Sequence, residues 1–109
     1  MEYMRWTRTT VKYPLENEGE YLHNGLIAEV GEFYGNTAKY HRCDYDSDEW
    51  KRRAQLELGD IFWFLVRYCD YLEIPVDEVL ALNVEKLEGR LKKGSIKGAD
   101  NDDGSRTVH

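Results

Sequence analysis

Apolar residues recur at three- and four-residue spacing in three long segments, and this one-sided pattern predicts amphipathic helices. The first segment spans about residues 16–42 and carries its stripe at Leu22, Leu26, Val30, Phe33, Thr37 and Tyr40. The second reaches about residue 72, with Ala54, Ile61, Leu65, Tyr68 and Leu72. The third runs to about residue 93, with Val79, Leu80, Leu82, Val84, Leu87 and Leu91. No long segment shows strand alternation, so we expect an all-α helical bundle.

Local signals place the ends of these helices. Asp46 followed by Glu49 is typical of a helix N-cap with its capping-box partner. Pro75 favours the start of the last helix. A short segment at about residues 3–11 stops before Pro14, and its pattern leaves helix and strand both open. We therefore expect one domain over residues 1–93 and a polar tail over residues 94–109 that is flexible or ordered by a ligand.

Size, charge and cysteine content narrow the class of protein. A chain of 109 residues has a small core, and this favours association into a homodimer or homotetramer. The net charge of -6 argues against binding to nucleic acid, which needs basic residues opposite the phosphates. Two cysteines without a paired motif, and no apolar run of membrane-spanning length, predict a cytoplasmic protein with no membrane association.

A pentapeptide pattern of acid, apolar, glycine, acid, apolar occurs twice. Residues 29–33 read Glu-Val-Gly-Glu-Phe, and residues 57–61 read Glu-Leu-Gly-Asp-Ile. Acids three residues apart share one helix face and can reach one ion. The mid-helix glycines, Gly31 and Gly59, suggest that another backbone passes close to each helix, because glycine otherwise destabilises a helix interior.

The spacing of the two pentapeptides predicts that their acids meet. If the loop is centred near residues 44–45 and the helices are antiparallel, Glu32 lies opposite Glu57 and Glu29 opposite Asp60. The helical wheel places these acids at the border of the apolar stripe, where ionised carboxylates are costly without a cation. Ligation by oxygen atoms alone suits Mg²⁺, with Mn²⁺ as a substitute. Solvated surface acids are the alternative.

These motifs resemble those of the MazG-like all-α nucleoside triphosphate pyrophosphohydrolases, whose signature is Glu-x-x-Glu, a spacer and Glu-x-x-Asp. The chain matches it with GLIAEVGEF and ELGDIFWFLV, and the family's Asn-x-x-Lys-Leu and following arginine are met within IPVDEVLALNVEKLEGRL. The resemblance covers about residues 22–91. It implies an enzyme that hydrolyses ribo- or deoxynucleoside triphosphates to the monophosphate and pyrophosphate.

The resemblance also implies roles for individual residues. The expected magnesium ligands and catalytic residues are Glu29, Glu32, Glu57 and Asp60. The last helix is expected to face the nucleotide with Asn83, Lys86 and Arg90. Glu32 is our candidate for the group that accepts the proton of the attacking water. The resemblance leaves the base, the sugar and the biological role open.

The helical wheel adds three candidate nucleotide contacts. Lys39 lies near the side of Glu32 and could contact a phosphate, as could Arg53, although surface ion pairs are the alternative for both. Phe64 lies one turn beyond Asp60 and could stack on a base, with packing in the core as its alternative.

Two other classes of protein compete with the enzyme. One is an acidic helical interaction module, in which the repeated pentapeptide only packs equivalent helices; magnesium binding and triphosphate turnover would distinguish the enzyme from it. The other is a di-iron carboxylate bundle, which uses two Glu-x-x-His elements. The sequence has one, at Glu20 and His23.

Overall fold

The computed structural model describes residues 2–94, and these residues contain helices and no strand. The helices are α1 (Glu2–Arg8), α2 (Glu18–His41), α3 (Ser47–Tyr71) and α4 (Val76–Lys93), with a 3₁₀ turn at Leu15–Asn17. The all-α prediction is confirmed for this part of the chain. The N-terminal segment, which the sequence left open, forms helix α1. The predicted polar tail lies outside the described residues beyond Gly94.

The helix ends follow the local signals in the sequence. The Asp46 side chain accepts a hydrogen bond of 2.9 Å from the Glu49 backbone nitrogen, and this bond caps α3. The Glu49 carboxylate pairs with arginines of the next turn. Pro75 precedes α4, and Gly94 ends it in the left-handed conformation at φ 72°. Glycine adopts that conformation without steric cost, which explains the stop.

Helices α2 and α3 form an antiparallel hairpin within the first compact unit, residues 1–74. Near the loop, the Tyr40 and Trp50 rings stack with centroids 4.4 Å apart. Farther from the loop, the Phe64 ring packs against Gly25. Residues of α2 that lie farther from the loop therefore contact residues of α3 that also lie farther from the loop. This arrangement brings the two pentapeptides to the same level of the hairpin.

Close approach between the helices depends on a glycine that the sequence did not single out. A side chain at Gly25 would collide with the Phe64 ring, so only glycine fits there. At Gly31 and Gly59, by contrast, a β-carbon would meet no atom of the described chain within 4 Å. The prediction that a backbone passes close to these two glycines is therefore wrong for the part of the chain that the structure describes. They lie on open surfaces of their helices.

The core of the first unit is small and is supported by a buried ion network. Its main cluster contains the buried residues Tyr13, Leu22 and Phe64, and Val11, Leu26, Trp63 and Tyr68 pack around them. Arg67 is only 5% exposed and pairs with Asp70 at 2.6 Å and Glu18 at 3.4 Å. Arg8 also binds Asp70, at 2.7 Å, which ties α1 to α3. These two guanidinium groups lower the pKa of Asp70 to about 2.

The second compact unit begins at Pro75, and its described part is α4 with its capping residues. None of the α4 residues is buried. Its apolar stripe includes Leu80, Val84, Leu87 and Leu91, all of which are exposed. Across residues 2–94, no helix combines the length and apolar character that crossing a membrane requires.

Candidate metal and nucleotide site

The repeated pentapeptides bring carboxylates together across the α2–α3 hairpin. Ligand oxygens of Glu29, Glu57 and Asp60 all lie within 4.8 Å of one another. Glu32 is outside this group of three, but its charge raises the pKa of both Glu29 and Glu57. We call these four residues the acid cluster. The structure thus places the four predicted ligands in one region, with three of them converging on a point.

Burial makes the acid cluster unfavourable without a cation. Glu29 and Glu57 are half-buried, and each has an Oε1 atom that is closed to solvent and has no hydrogen-bond partner in the described chain. Burial raises the pKa of Glu29 to about 6, and the charges of Glu32, Asp60 and Glu57 add to the effect. Burial and neighbouring charges also raise the pKa of Glu57. An unpaired buried acceptor costs about 1–3 kcal/mol.

A divalent cation fits this set of donors. The converging atoms are all carboxylate oxygens, the ligand type that Mg²⁺ and Mn²⁺ prefer. A cation would pair the orphaned oxygens of Glu29 and Glu57 and offset the repulsion within the cluster. Solvated surface acids, the alternative from the sequence, do not account for two closed and unpaired oxygens.

A cavity of about 470 Å³ adjoins the acid cluster. It is lined by Glu32, Gly35, Asn36, Lys39, Arg52, Arg53, Leu56 and Glu57. Lys39, a predicted nucleotide contact, is therefore in the same cavity as two of the acids. Arg53 pairs with Glu49 at 2.7 Å and lies over the Tyr45 ring, 4.5 Å from its centroid. This position matches the surface ion pair that was the alternative for Arg53.

Asn36 is a residue of the cavity that the sequence analysis missed. It is 7% exposed, and its Nδ2 atom has no hydrogen-bond partner among the described residues. The Tyr45 hydroxyl donates a hydrogen bond of 2.7 Å to the Asn36 backbone oxygen and also contacts the Asn36 side chain. Asn36 lies one helical turn beyond Glu32, so its position on the acid face was a usable signal. An asparagine in a polar helix usually faces water, which is why the pattern alone did not mark it.

Comparison with known proteins identifies the family. A family model described as the MazG nucleotide pyrophosphohydrolase domain matches residues 17–95, a range that contains the whole acid cluster. The chain belongs to this family. A relative named "Gene 37 protein", from Mycobacterium phage L5, is 32% identical over 82 residues, which cover 72% of this chain and 71% of the relative. No solved structure matches the chain.

Membership in the MazG family is consistent with a metal site at the acid cluster, because MazG hydrolases generally depend on divalent metal. The family match extends through α4, where Asn83, Lys86 and Arg90 lie. Their spacing of three and four residues places them on one face of α4. Their contact with a nucleotide stays a prediction.

The remaining candidates lie apart from the cluster of converging oxygens. Phe64 is 7% exposed and packs with Leu22 in the core, the alternative that its sequence position allowed. Glu20 and His23 are exposed on α2 and do not belong to the group of converging acids. A di-iron site built on this pair has no support in the described chain.

Proposed function

We propose that the protein hydrolyses ribo- or deoxynucleoside triphosphates to the monophosphate and pyrophosphate, with Mg²⁺ or Mn²⁺ held by the acid cluster. One observation carries the proposal. Three carboxylates converge within 4.8 Å, and two of them keep buried, unpaired oxygens, inside a match to the MazG nucleotide pyrophosphohydrolase domain. The family match supports the reaction, and the orphaned oxygens support the cation.

Three of the acids would bind the cation, and the fourth would accept a proton. Glu29, Glu57 and Asp60 would hold the cation, because their oxygens converge. Glu32 lies outside that group and lines the adjoining cavity, and this supports our assignment of Glu32 as the group that would accept a proton from the attacking water. A bound cation supplies positive charge that offsets the triphosphate and favours ionisation of water. Attack at the α-phosphorus would release pyrophosphate.

Basic and amide side chains would position the nucleotide. Lys39 lines the cavity beside the acid cluster and is the proposed contact on the hairpin. On α4, the proposed contacts are Asn83, Lys86 and Arg90, which share a helix face. A lysine beside a phosphate gives a charge-assisted hydrogen bond, and this is stronger than a neutral one.

We also propose that the protein forms a homodimer or homotetramer and acts in the cytoplasm. Support for association comes from exposed apolar residues on one face of α3: Leu58, Phe62 and Leu65 are 42%, 61% and 43% exposed. Large apolar patches on a soluble protein commonly mark interaction surfaces. A second copy covering such a face would add to the small core of the chain.

Pyrophosphate release tests the proposed reaction. A panel of ribo- and deoxynucleoside triphosphates is incubated with the protein and magnesium, and pyrophosphate is measured. We expect turnover of at least one nucleotide, at least about a hundredfold loss in Glu57→Gln, and retained activity in Glu88→Gln, which changes an exposed acid of α4. Full activity of Glu57→Gln would contradict the carboxylate site. No pyrophosphate from any nucleotide, together with no magnesium binding, would favour the helical interaction module.

A further inference from the structure

The cavity beside the acid cluster has an acidic end and a basic end. Glu32 and Glu57 belong to the acid cluster, and three basic residues line the same cavity nearer the α2–α3 loop: Lys39, Arg52 and Arg53. Lys39 follows Glu32 by seven residues and Arg52 precedes Glu57 by five, a separation of about 7–10 Å along the helices. The volume of about 470 Å³ lies within the range of about 300–1,000 Å³ for small-molecule sites. A ligand bound to a cation at the acid cluster can therefore extend to the basic end.

The charges around the basic end favour phosphate. A divalent cation at the acid cluster would offset two of the cluster's negative charges and hold the first phosphate oxygens there. At the basic end, Glu49 pairs with both arginines. Asp44 lies near Lys39 and is itself paired with Arg42 at 2.6 Å. The basic groups that line this end, together with their ion-pair partners, thus keep a net positive charge that phosphate oxygens would neutralise.

The lining of the cavity suits phosphates better than a nucleobase. None of the described residues that line it carries an aromatic ring, and Leu56 is the one large apolar residue among them. A site for a nucleobase commonly offers an aromatic face for stacking. Guanidinium and ammonium groups instead recognise phosphates, through charge-assisted hydrogen bonds. Because attack is proposed at the α-phosphorus beside the acid cluster, the β- and γ-phosphates are the groups that reach the basic end.

The two arginines of the basic end are held differently. Arg53 donates to Glu49 at 2.7 Å and also lies over the Tyr45 ring, so two contacts fix it. Arg52 donates to Glu49 from Nε at 3.2 Å and from Nη2 at 2.8 Å, and its side chain is 59% exposed. A guanidinium has five N–H donors, so Arg52 keeps donors for a ligand. Exposed ion pairs are weak, and a phosphate can therefore replace Glu49 as the partner of Arg52.

We propose that Arg52, together with Lys39, binds the β- and γ-phosphates of the nucleotide, and that Glu49 weakens this contact by competing for Arg52. The inference rests on the proposed function for the cation at the acid cluster. After cleavage, the same side chains hold the pyrophosphate product. A competing carboxylate raises the rate at which this product dissociates. Glu49 therefore limits how tightly released pyrophosphate is retained.

Calorimetry with magnesium pyrophosphate tests the contact of Arg52. Arg52→Gln should bind pyrophosphate at least about tenfold more weakly than wild type, because it loses charge-assisted hydrogen bonds. Its affinity for magnesium alone should stay within about twofold of wild type, since the acid cluster is intact. The matched control is Lys51→Gln, which removes a neighbouring exposed charge that does not line the cavity. This control should bind both ligands as wild type does.

Glu49→Gln should change pyrophosphate binding in the opposite direction. Glutamine keeps the length of the side chain and can also serve in a capping box, but it carries no charge to compete for Arg52. We expect pyrophosphate to bind about threefold more tightly than in wild type. Asp48→Asn, which changes an exposed acid of the same helical turn, is the control and should match wild type. Loss of a merely structural residue would not strengthen binding.

Several results would overturn the inference, and circular dichroism shows which variants are folded. They are wild-type affinity for pyrophosphate in folded Arg52→Gln, unchanged or weaker binding in folded Glu49→Gln, and no binding of millimolar pyrophosphate to wild type. If Arg52→Gln does not fold, Glu49→Gln alone decides.

Failure of the proposed function can be separated from failure of this inference, because pyrophosphate binding needs no turnover. If no nucleoside triphosphate is hydrolysed but both variants change pyrophosphate affinity as expected, the proposed reaction fails and the phosphate contact stands. If triphosphates are hydrolysed but both variants bind pyrophosphate as wild type does, the reaction stands and the contact is overturned.

Discussion

Replacing Glu29 with glutamine should stabilise the metal-free protein while removing its response to magnesium. The pKa of Glu29 is raised from 4.5 to about 6, mainly by burial and then by its acidic neighbours. The folded state thus binds a proton more tightly than the unfolded state, and ionising Glu29 at pH 7.5 lowers stability. A pKa rise of this size means that ionising Glu29 destabilises the folded state by about 2 kcal/mol. Solvent screening of a half-buried group reduces this to roughly 1 kcal/mol.

The sign of the pH dependence follows from the same linkage. Between pH 4.5 and about 6, the folded protein keeps the Glu29 proton that the unfolded chain has lost, so stability falls as pH rises through this window. Glutamine cannot ionise, and the Glu29→Gln variant should lack this part of the decline. Urea unfolding in EDTA at pH 5 and pH 7.5 measures both proteins. At pH 7.5 the variant should be more stable by roughly 1 kcal/mol.

With magnesium present, wild type should become more stable than Glu29→Gln. A ligand at a hundred times its dissociation constant stabilises the folded state by about 2.7 kcal/mol. Wild type should show this gain, whereas Glu29→Gln should show little of it. Glu88→Gln, on the exposed surface of α4, serves as the control and should match wild type in both conditions. A variant less stable than wild type in EDTA, or equal stabilisation of both by magnesium, would refute the reasoning.

Three further predictions address other parts of the molecule. Lys86→Ala should raise KM or lower kcat, while Lys51→Ala, at the start of α3, should do neither; equal and negligible effects would count against a nucleotide contact on α4. Arg67→Met should lower the free energy of unfolding by roughly 3 kcal/mol in urea titrations. Arg52→Met removes only a surface ion pair and should change the free energy of unfolding little. Similar losses in the two variants would contradict the buried network. Asp46→Ala should lower stability by about 1 kcal/mol in thermal unfolding, and an unchanged midpoint would rule out the cap.

The helices and the acid cluster could be predicted because they depend on local spacing. Apolar periodicity located the helices, and Asp46 and Pro75 located the starts of two of them. Antiparallel helices joined by a short loop bring residues at equal distances from the loop to the same level. The approach of Glu29 to Asp60 therefore followed from counting along the chain.

Other features depend on shape and burial that spacing does not encode. Gly25 lies where the Phe64 ring fills the gap between helices, and the sequence gives no sign of which glycine meets a large ring. Arg67 is buried, and its guanidinium donates a hydrogen bond to Thr7 of α1, a helix whose position no periodicity defines. Asn36 became informative only when its side chain proved to be buried in the wall of the cavity.

Hydrolysis in water labelled with heavy oxygen tests the central claim most directly. The protein is incubated with magnesium and a deoxynucleoside triphosphate that it turns over, and the products are analysed by mass spectrometry. If water attacks the α-phosphorus next to the acid cluster, the label enters the monophosphate, pyrophosphate is released intact and no diphosphate forms. Label in pyrophosphate would indicate attack at the β-phosphorus, and release of orthophosphate would indicate attack at the γ-phosphorus. Either result would contradict the account.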